Sequence, residues 1–209
     1  MCNFIARRRS YGDILVHGAN GGVGTALCQL ARHYGIRVIG TASPRHHDAL
    51  RSIDVEPLDY NAPDLAAQVL VLAPQEVGAV FDHLGLESAR ISYGLLAREG
   101  SLIVYGNAST LNQKTSTVRV FLRLMRQLLL RKLRPKGHYV TLYNFWSGRI
   151  LRPARFRNQL AQDLTVLCGL VREGAIDPPI AAEYPLRQVA AAMTLAESRA
   201  VRGKVVLVP

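Results

Sequence analysis

Apolar positions along this chain fall into two alternating rhythms, short continuous runs and stretches at helical spacing, and that alternation predicts the architecture. Asp13 to Ala19 is a short apolar run ending in glycine and alanine, and Val23, Ala26, Leu27, Leu30, Ala31 and Tyr34 then recur with helical period until Gly35 stops them. Ile36 to Thr41 is a second run rich in β-branched residues, so strand, tight turn, helix and strand complete one βαβ unit in about 30 residues. The two strands are expected to be parallel neighbours. Glu56 to Tyr60 reads as a short strand, and Pro63 to Leu72 as a helix with proline near its start. Val77 to Phe81 and Ser101 to Tyr105 are strands again, separated by a helical pattern over Ser88 to Arg98 with Gly100 as its stop. Val140 to Phe145 adds another candidate strand. Strands and helices in strict alternation predict an α/β fold built on a doubly wound, mostly parallel sheet.

The segment Gly18-Ala19-Asn20-Gly21-Gly22-Val23-Gly24 sits directly between the first strand and the first helix. In that position glycine permits the tight turn and lets backbone N–H groups approach a pyrophosphate, while the helix start adds about half a positive charge. Gly24 would let helix and strand pack closely. The context turns a weak glycine pattern into a dinucleotide-binding expectation for a Rossmann-type domain over residues 12–200, with residues 1–11 as a leader and a closing strand in 201–209. An acid about 20 residues beyond the loop would favour NAD by bonding the ribose 2′-hydroxyl. The second strand instead ends Thr41-Ala42-Ser43-Pro44-Arg45-His46-His47, which offers a hydroxyl, a guanidinium and two imidazoles to a 2′-phosphate and favours NADP(H). Arg45 is the firmer phosphate ligand, and the histidine pair reads equally as a helix-start surface pair.

Composition narrows the setting. With 49% hydrophobic and 20% charged residues among 209, the balance is that of a globular chain, and no uncharged apolar run reaches the roughly 18 residues that a membrane span needs. Met1 to Ser10 has three arginines and no apolar core of a secretory signal, so a cytoplasmic location is expected. Cys2, Cys28 and Cys168 are odd in number and widely spaced, which argues against a disulfide framework or a cysteine-rich zinc lobe, and no metal site is expected. The net charge of +11 favours an anionic partner, with nucleic acid, membrane surface and phosphorylated cofactor all open. Lys114 to Lys136 holds eight basic residues and no acid, with Arg119, Arg123 and Arg126 on one helical face and Val118, Phe121, Leu122, Met125 and Leu129 on another. It reads foremost as a packed helix with a solvated basic face, next as a membrane-surface or partner-binding helix, and least as a nucleic-acid reader, since it has one aromatic and no reader motif.

These residues carry a resemblance. Gly12 to Gly24, VIGTAS at Val38 to Ser43, VFDHLG at Val80 to Gly85, GSLIVYGN at Gly100 to Asn107 and GKVVLVP at Gly203 to Pro209 are similar to the medium-chain dehydrogenase/reductase superfamily, in its zinc-independent quinone oxidoreductase-like branch. The resemblance implies that Asn20, Gly21, Gly22 and Val23 form the pyrophosphate loop, and that Ser43 with a nearby basic group holds the 2′-phosphate. The family's usual lysine is missing there, and Arg45, His46 or His47 stands in its place. Tyr60 matches a tyrosine beside the adenosine phosphate, or else is a half-buried core residue. Asp82 with His83, and Gly106 with Asn107, match strand ends facing the nicotinamide half, although a loop-capping role for Asp82 is equally open. The family sets a substrate domain ahead of this fold, whereas this sequence begins almost at the first strand, so no catalytic residue is assigned. The strand Val205 to Val208, which normally returns to that domain, is expected to lack its usual sheet. The implied function is NADPH-dependent hydride transfer to a quinone or conjugated carbonyl (enone), by a homodimer or with a companion domain. A non-enzymatic NADP(H)-binding module and a basic surface binder are the alternatives.

Overall fold

The computed structural model describes residues 12–106, 137–143, 146, 148–198, 200–201 and 203–209. The leader, Asn107 and the basic segment 114–136 lie outside the described residues.

The first βαβ unit forms as the apolar rhythm predicts: β1 (Ile14–His17), α1 (Gly22–His33) and β2 (Val38–Ala42). Then come α2 (His47–Arg51), β3 (Val55–Asp59), α3 (Leu65–Leu72), β4 (Val77–Asp82), α4 (Leu86–Gly94), β5 (Leu96–Val104) and β6 (Tyr139–Leu142). The six strands make one parallel sheet in the order β3-β2-β1-β4-β5-β6. Chain direction across the sheet reverses between β1 and β4, which is the switch point where open α/β sheets bind ligands.

Every residue of β1, β2 and β4 is buried, as a sheet covered on both faces demands. Successive side chains go to opposite faces. Ile14 and Val16 join Leu27, Leu30 and Phe81 in the core under α1, whereas Leu15 joins Ile39, Val69, Val80 and Leu102 in the core under α3 and α4.

Beyond the sheet lie α5 (Pro153–Arg172), β7 (Ile180–Pro185), α6 (Val189–Ser198) and β8 (Lys204–Val208). Strands β7 and β8 pair in parallel as a separate two-stranded sheet, with Tyr184 opposite Leu207. The closing strand thus has a partner within the chain, in a sheet apart from the large one. The helix expected over Ser88 to Arg98 is corrected. It ends at Gly94, and Leu96 already pairs with Val77 in the ladder. Leu95 and Leu96 are fully buried and the Val77 N–H donates to the Leu95 carbonyl at 2.9 Å, so burial against the sheet overrides the local helical period. Glu99, with φ at 61°, absorbs the resulting irregularity before Gly100. Among the described residues no helix is long and apolar enough to cross a membrane.

Candidate functional site

The carboxyl ends of β1, β2, β4 and β5 converge at the switch point. After His17 the chain turns at Gly18, whose φ of +64° is a conformation that side-chain-bearing residues rarely adopt. The turn is closed by the Ala19 N–H on the Thr41 carbonyl at 3.0 Å and the Gly21 N–H on the Gly18 carbonyl at 2.9 Å. Gly24 is required for packing, because a Cβ there would run into the Gly18 carbonyl oxygen and lie 2.8 Å from Ala19 Cα. Gly21, Gly22 and Val23 are exposed, α1 has no acidic residue in its first turn and no side chain caps it. Its first N–H groups therefore point outward at a surface that favours an anion. Asn20 lies half-buried beside them.

At the end of β2, Ser43 is half-buried and a single 3-10 turn, Pro44–His46, follows. The Arg45 Nε donates to His46 Nε2 at 3.1 Å, and His47 Nε2 donates to the Ala42 carbonyl at 3.3 Å. Of the three basic candidates His46 is buried, His47 half-buried and Arg45 exposed. Tyr60 is 51% exposed, which is not core packing, and its N–H reaches the Ala42 carbonyl at 3.3 Å, so the ring stands beside the same strand end.

Asp82 takes the other of the two roles left open for it. It is wholly buried and capping: Oδ1 accepts from the Leu84 N–H at 2.8 Å, and Oδ2 from the hydroxyls of Ser88 at 2.7 Å and Ser92 at 3.0 Å. Because the single Ser92 proton goes to Asp82, Ser92 Oγ accepts from His17 Nε2 at 3.0 Å, leaving His17 Nδ1 to accept from Thr41 Oγ1 at 3.2 Å. Thr41 Oγ1 in turn accepts from the Gly18 N–H at 3.2 Å. A directed chain of hydrogen bonds thus runs from the loop backbone through His17 to Asp82. Burial pushes the His17 imidazole below its usual range, against an opposing pull from Asp82, so it is neutral.

Above this chain, His83 fills the space where a Gly18 side chain would stand and stacks on Tyr105 with ring centroids 5.5 Å apart. The Tyr105 hydroxyl lies 3.4 Å from both His83 Nδ1 and the His17 carbonyl, and burial pushes it well above the usual tyrosine range. Gly106 follows, exposed, where a Cβ would approach His83 Cβ to 3.1 Å. The loop, His83 and Gly106 are therefore brought together, and Ser43, Arg45 and Tyr60 form a second group along the sheet edge. Among the described residues no cluster of three or more His, Cys, Asp or Glu could hold a metal.

Sequence reasoning missed His17, Thr41 and Ser92. A histidine inside an otherwise apolar strand was the available signal. It also missed a cleft of about 50 Å³ at the start of α1, lined by Asn20, Gly22, Thr25, Gln29, Pro179 and Lys204.

Comparison with known proteins fits this geometry. The mouse synaptic vesicle membrane protein VAT-1 homolog is 31% identical over 94% of the chain, covering 48% of that relative. Quinone oxidoreductase 1 of Escherichia coli is 27% identical over 94% of the chain and 57% of its own length. The chain thus spans about half the length of the curated relatives it matches. The crystal structure of Escherichia coli quinone oxidoreductase complexed with NADPH superposes with a TM-score of 0.73 at 25% identity, over 100% of this chain and 61% of the other. Residues 55–207 match the family described as zinc-binding dehydrogenase. On the strength of that match and of its Rossmann-type sheet, the chain belongs to the zinc-binding dehydrogenase family within the medium-chain dehydrogenase/reductase superfamily.

Proposed function

We propose that the chain binds NADP(H) across the carboxyl ends of β1, β2, β4 and β5, as the cofactor half of a zinc-independent oxidoreductase that passes hydride to a quinone or a conjugated carbonyl. The observation that carries the reading is the glycine turn at the switch point, with the exposed residues Gly21 to Val23 opening the helix and a packing-enforced Gly24. The residues fit the group: a Cβ at Gly21 would sit only 3.2 Å from the Gly18 carbonyl, so glycine keeps the cradle shallow enough for a diphosphate. The relative solved with NADPH and the relatives named as quinone oxidoreductases support the same cofactor and chemistry.

NADPH supplies the hydride when bound, and the chain's own residues bind and orient it. Gly22 and Val23 take the diphosphate through backbone N–H groups, flanked by Asn20 and by Gly21, whose own N–H closes the turn on the Gly18 carbonyl. Ser43 and the exposed Arg45 take the 2′-phosphate, and Tyr60 covers the adenosine side. Gly106 lines the nicotinamide half, where a Cβ would approach His83 Cβ to 3.1 Å. Asp82 acts indirectly, holding His17 and through it the Gly18 turn.

Titration of the full chain with NADPH and NADH tests this directly. NADPH is expected to bind more tightly, and Arg45→Glu to weaken NADPH far more than NADH. Equal affinities in the wild type, or equal losses in the variant, remove the 2′-phosphate assignment. Steady-state NADPH oxidation with a panel of quinones and enones tests the reductase. Binding without turnover on any of them reduces the function to a nucleotide-binding module.

A further inference from the structure

We infer that the turn before α5 and the first turns of that helix form a docking surface for an anionic lipid membrane. Trp146, Ile150 and Leu151 enter the headgroup boundary, and Arg149, Arg152, Arg155 and Arg157 take lipid phosphates. The inference is independent of the NADP(H) reading and starts from where the chain keeps its charge. Between Gly100 and Gln162 stand twelve of the 26 lysines and arginines and no aspartate or glutamate, so that stretch carries the net charge of +11 and the rest of the chain is nearly neutral. Four of the twelve, Arg149, Arg152, Arg155 and Arg157, are exposed, and none forms an ion pair among the described residues. Between and beside them lie large apolar side chains in contact with water: Leu151 is 90% exposed, Ile150 83% and Trp146 59%. Exposed apolar groups rimmed by one sign of charge mark an interaction surface.

The patch has a fixed frame. The Arg149 N–H donates to the Trp146 carbonyl at 3.1 Å and the Arg152 N–H to the Gly148 carbonyl at 2.8 Å, which closes the turn into α5. The Trp146 ring stacks on Phe156 with centroids 6.4 Å apart, and the Arg149 guanidinium lies 5.2 Å from the Trp146 centroid. The far end of α5 is anchored instead: Leu170 and Ile176 are buried in the core under α1, and Asp177 is clamped to α1 in both directions. Gln29 Nε2 donates to the Asp177 carbonyl at 2.8 Å, and the Asp177 N–H donates to Gln29 Oε1 at 3.1 Å. The chemistry of the exposed end favours lipid over nucleic acid. Consecutive aliphatic side chains gain from hydrocarbon but offer no ring for a base to stack on. Tryptophan settles at the headgroup level, and arginine's planar fork matches phosphate. Among the described residues no helix is apolar enough to cross the bilayer, so the contact is one that lies on the surface.

Trp146 is the only tryptophan of the chain, so its fluorescence reports on this patch alone. The full chain is titrated with vesicles of phosphatidylcholine, with vesicles in which part of it is replaced by phosphatidylglycerol, and with a single-stranded oligonucleotide. The wild type is expected to bind the phosphatidylglycerol vesicles with a blue shift of Trp146 emission, more weakly as salt is added, and to leave pure phosphatidylcholine unbound. Ile150→Ser with Leu151→Ser, and separately Arg152→Gln with Arg155→Gln, should each weaken vesicle binding about tenfold or more. All four side chains are exposed, so both variants should unfold at the wild-type temperature. No binding to phosphatidylglycerol vesicles at low salt overturns the inference, as does binding without a Trp146 shift, which assigns the contact to another part of the chain. Equal binding to phosphatidylcholine vesicles, or full affinity in either double variant, overturns it too. Tighter binding of the oligonucleotide assigns the patch to nucleic acid, and self-association without vesicles that Ile150→Ser with Leu151→Ser abolishes assigns it to a second copy of the chain; either outcome overturns the lipid assignment.

Discussion

The six-stranded sheet and the C-terminal pair β7–β8 are both parallel, but they are stabilised by different means. All six residues of β4 are buried, whereas no residue of β7 or β8 is. The flanking helices repeat the contrast: α1 buries seven residues of its twelve and α5 only Leu170 of its twenty. The large sheet is held by apolar burial on both faces. The C-terminal region is instead fixed to the large sheet at a few points, chiefly the Gln29–Asp177 clamp and the packing of Leu170 and Ile176. A region held at a few points can be repositioned at small cost.

The sharpest way to break this comparison is a matched pair of truncations. Phe81→Ala empties a fully buried site in the central strand and should destabilise the protein by about 3–5 kcal/mol. Leu164→Ala on the exposed face of α5 should stay within about 0.5 kcal/mol. Chemical denaturation measures both, and similar losses would erase the distinction between the two regions.

A smaller effect comes from the buried His17. Its folded pKa is depressed below the ordinary value of 6.5, so below that pH the unfolded chain takes up a proton that the folded chain refuses. The stability contributed by the neutral imidazole is present above pH 6.5 and lost as pH falls from there toward the folded pKa. The stability difference between wild type and His17→Gln should therefore shrink between about pH 7.5 and about 5.5. A difference that stays constant with pH means His17 is not held neutral.

The smallest expected effect is Gln29→Ala. Losing the clamp should cost about 1–2 kcal/mol, expressed locally. Hydrogen exchange should quicken at the Asp177 and Lys204 amides and leave those of β1 and β4 unchanged. Uniform acceleration across the chain would show that the clamp supports the whole fold.

What could be read in advance follows the same division. From β1 through β5, burial writes itself into the sequence as apolar runs, and the backbone demands of the turn appear as Gly18 and Gly24, so strands, loop and first helix were legible. The boundary furthest from its expected place, at Leu96, is where local period and tertiary pairing disagree. The C-terminal elements were hardly legible, because α5 buries only Leu170 and β7 and β8 bury nothing completely. Within the site, exposed backbone amides leave their mark as glycines, and Arg45 is marked by its place after a strand. Asp82 could be found but its role could not, since capping and ribose binding require the same residue at the same place. The place of Lys204 in the cleft at the start of α1 had no local signal, because it comes from a hydrogen bond to Pro179 and a helix start far away in the chain.

The strand order carries one more consequence. Although β1 is the earliest strand of the sheet to leave the ribosome, it occupies an interior place between β2 and β4. Until Val77–Asp82 has emerged, one side of β1 has no hydrogen-bonding neighbour, and its uncovered edge is open to pairing with other nascent chains. Translation must therefore run well past the nucleotide loop before the centre of the sheet can close.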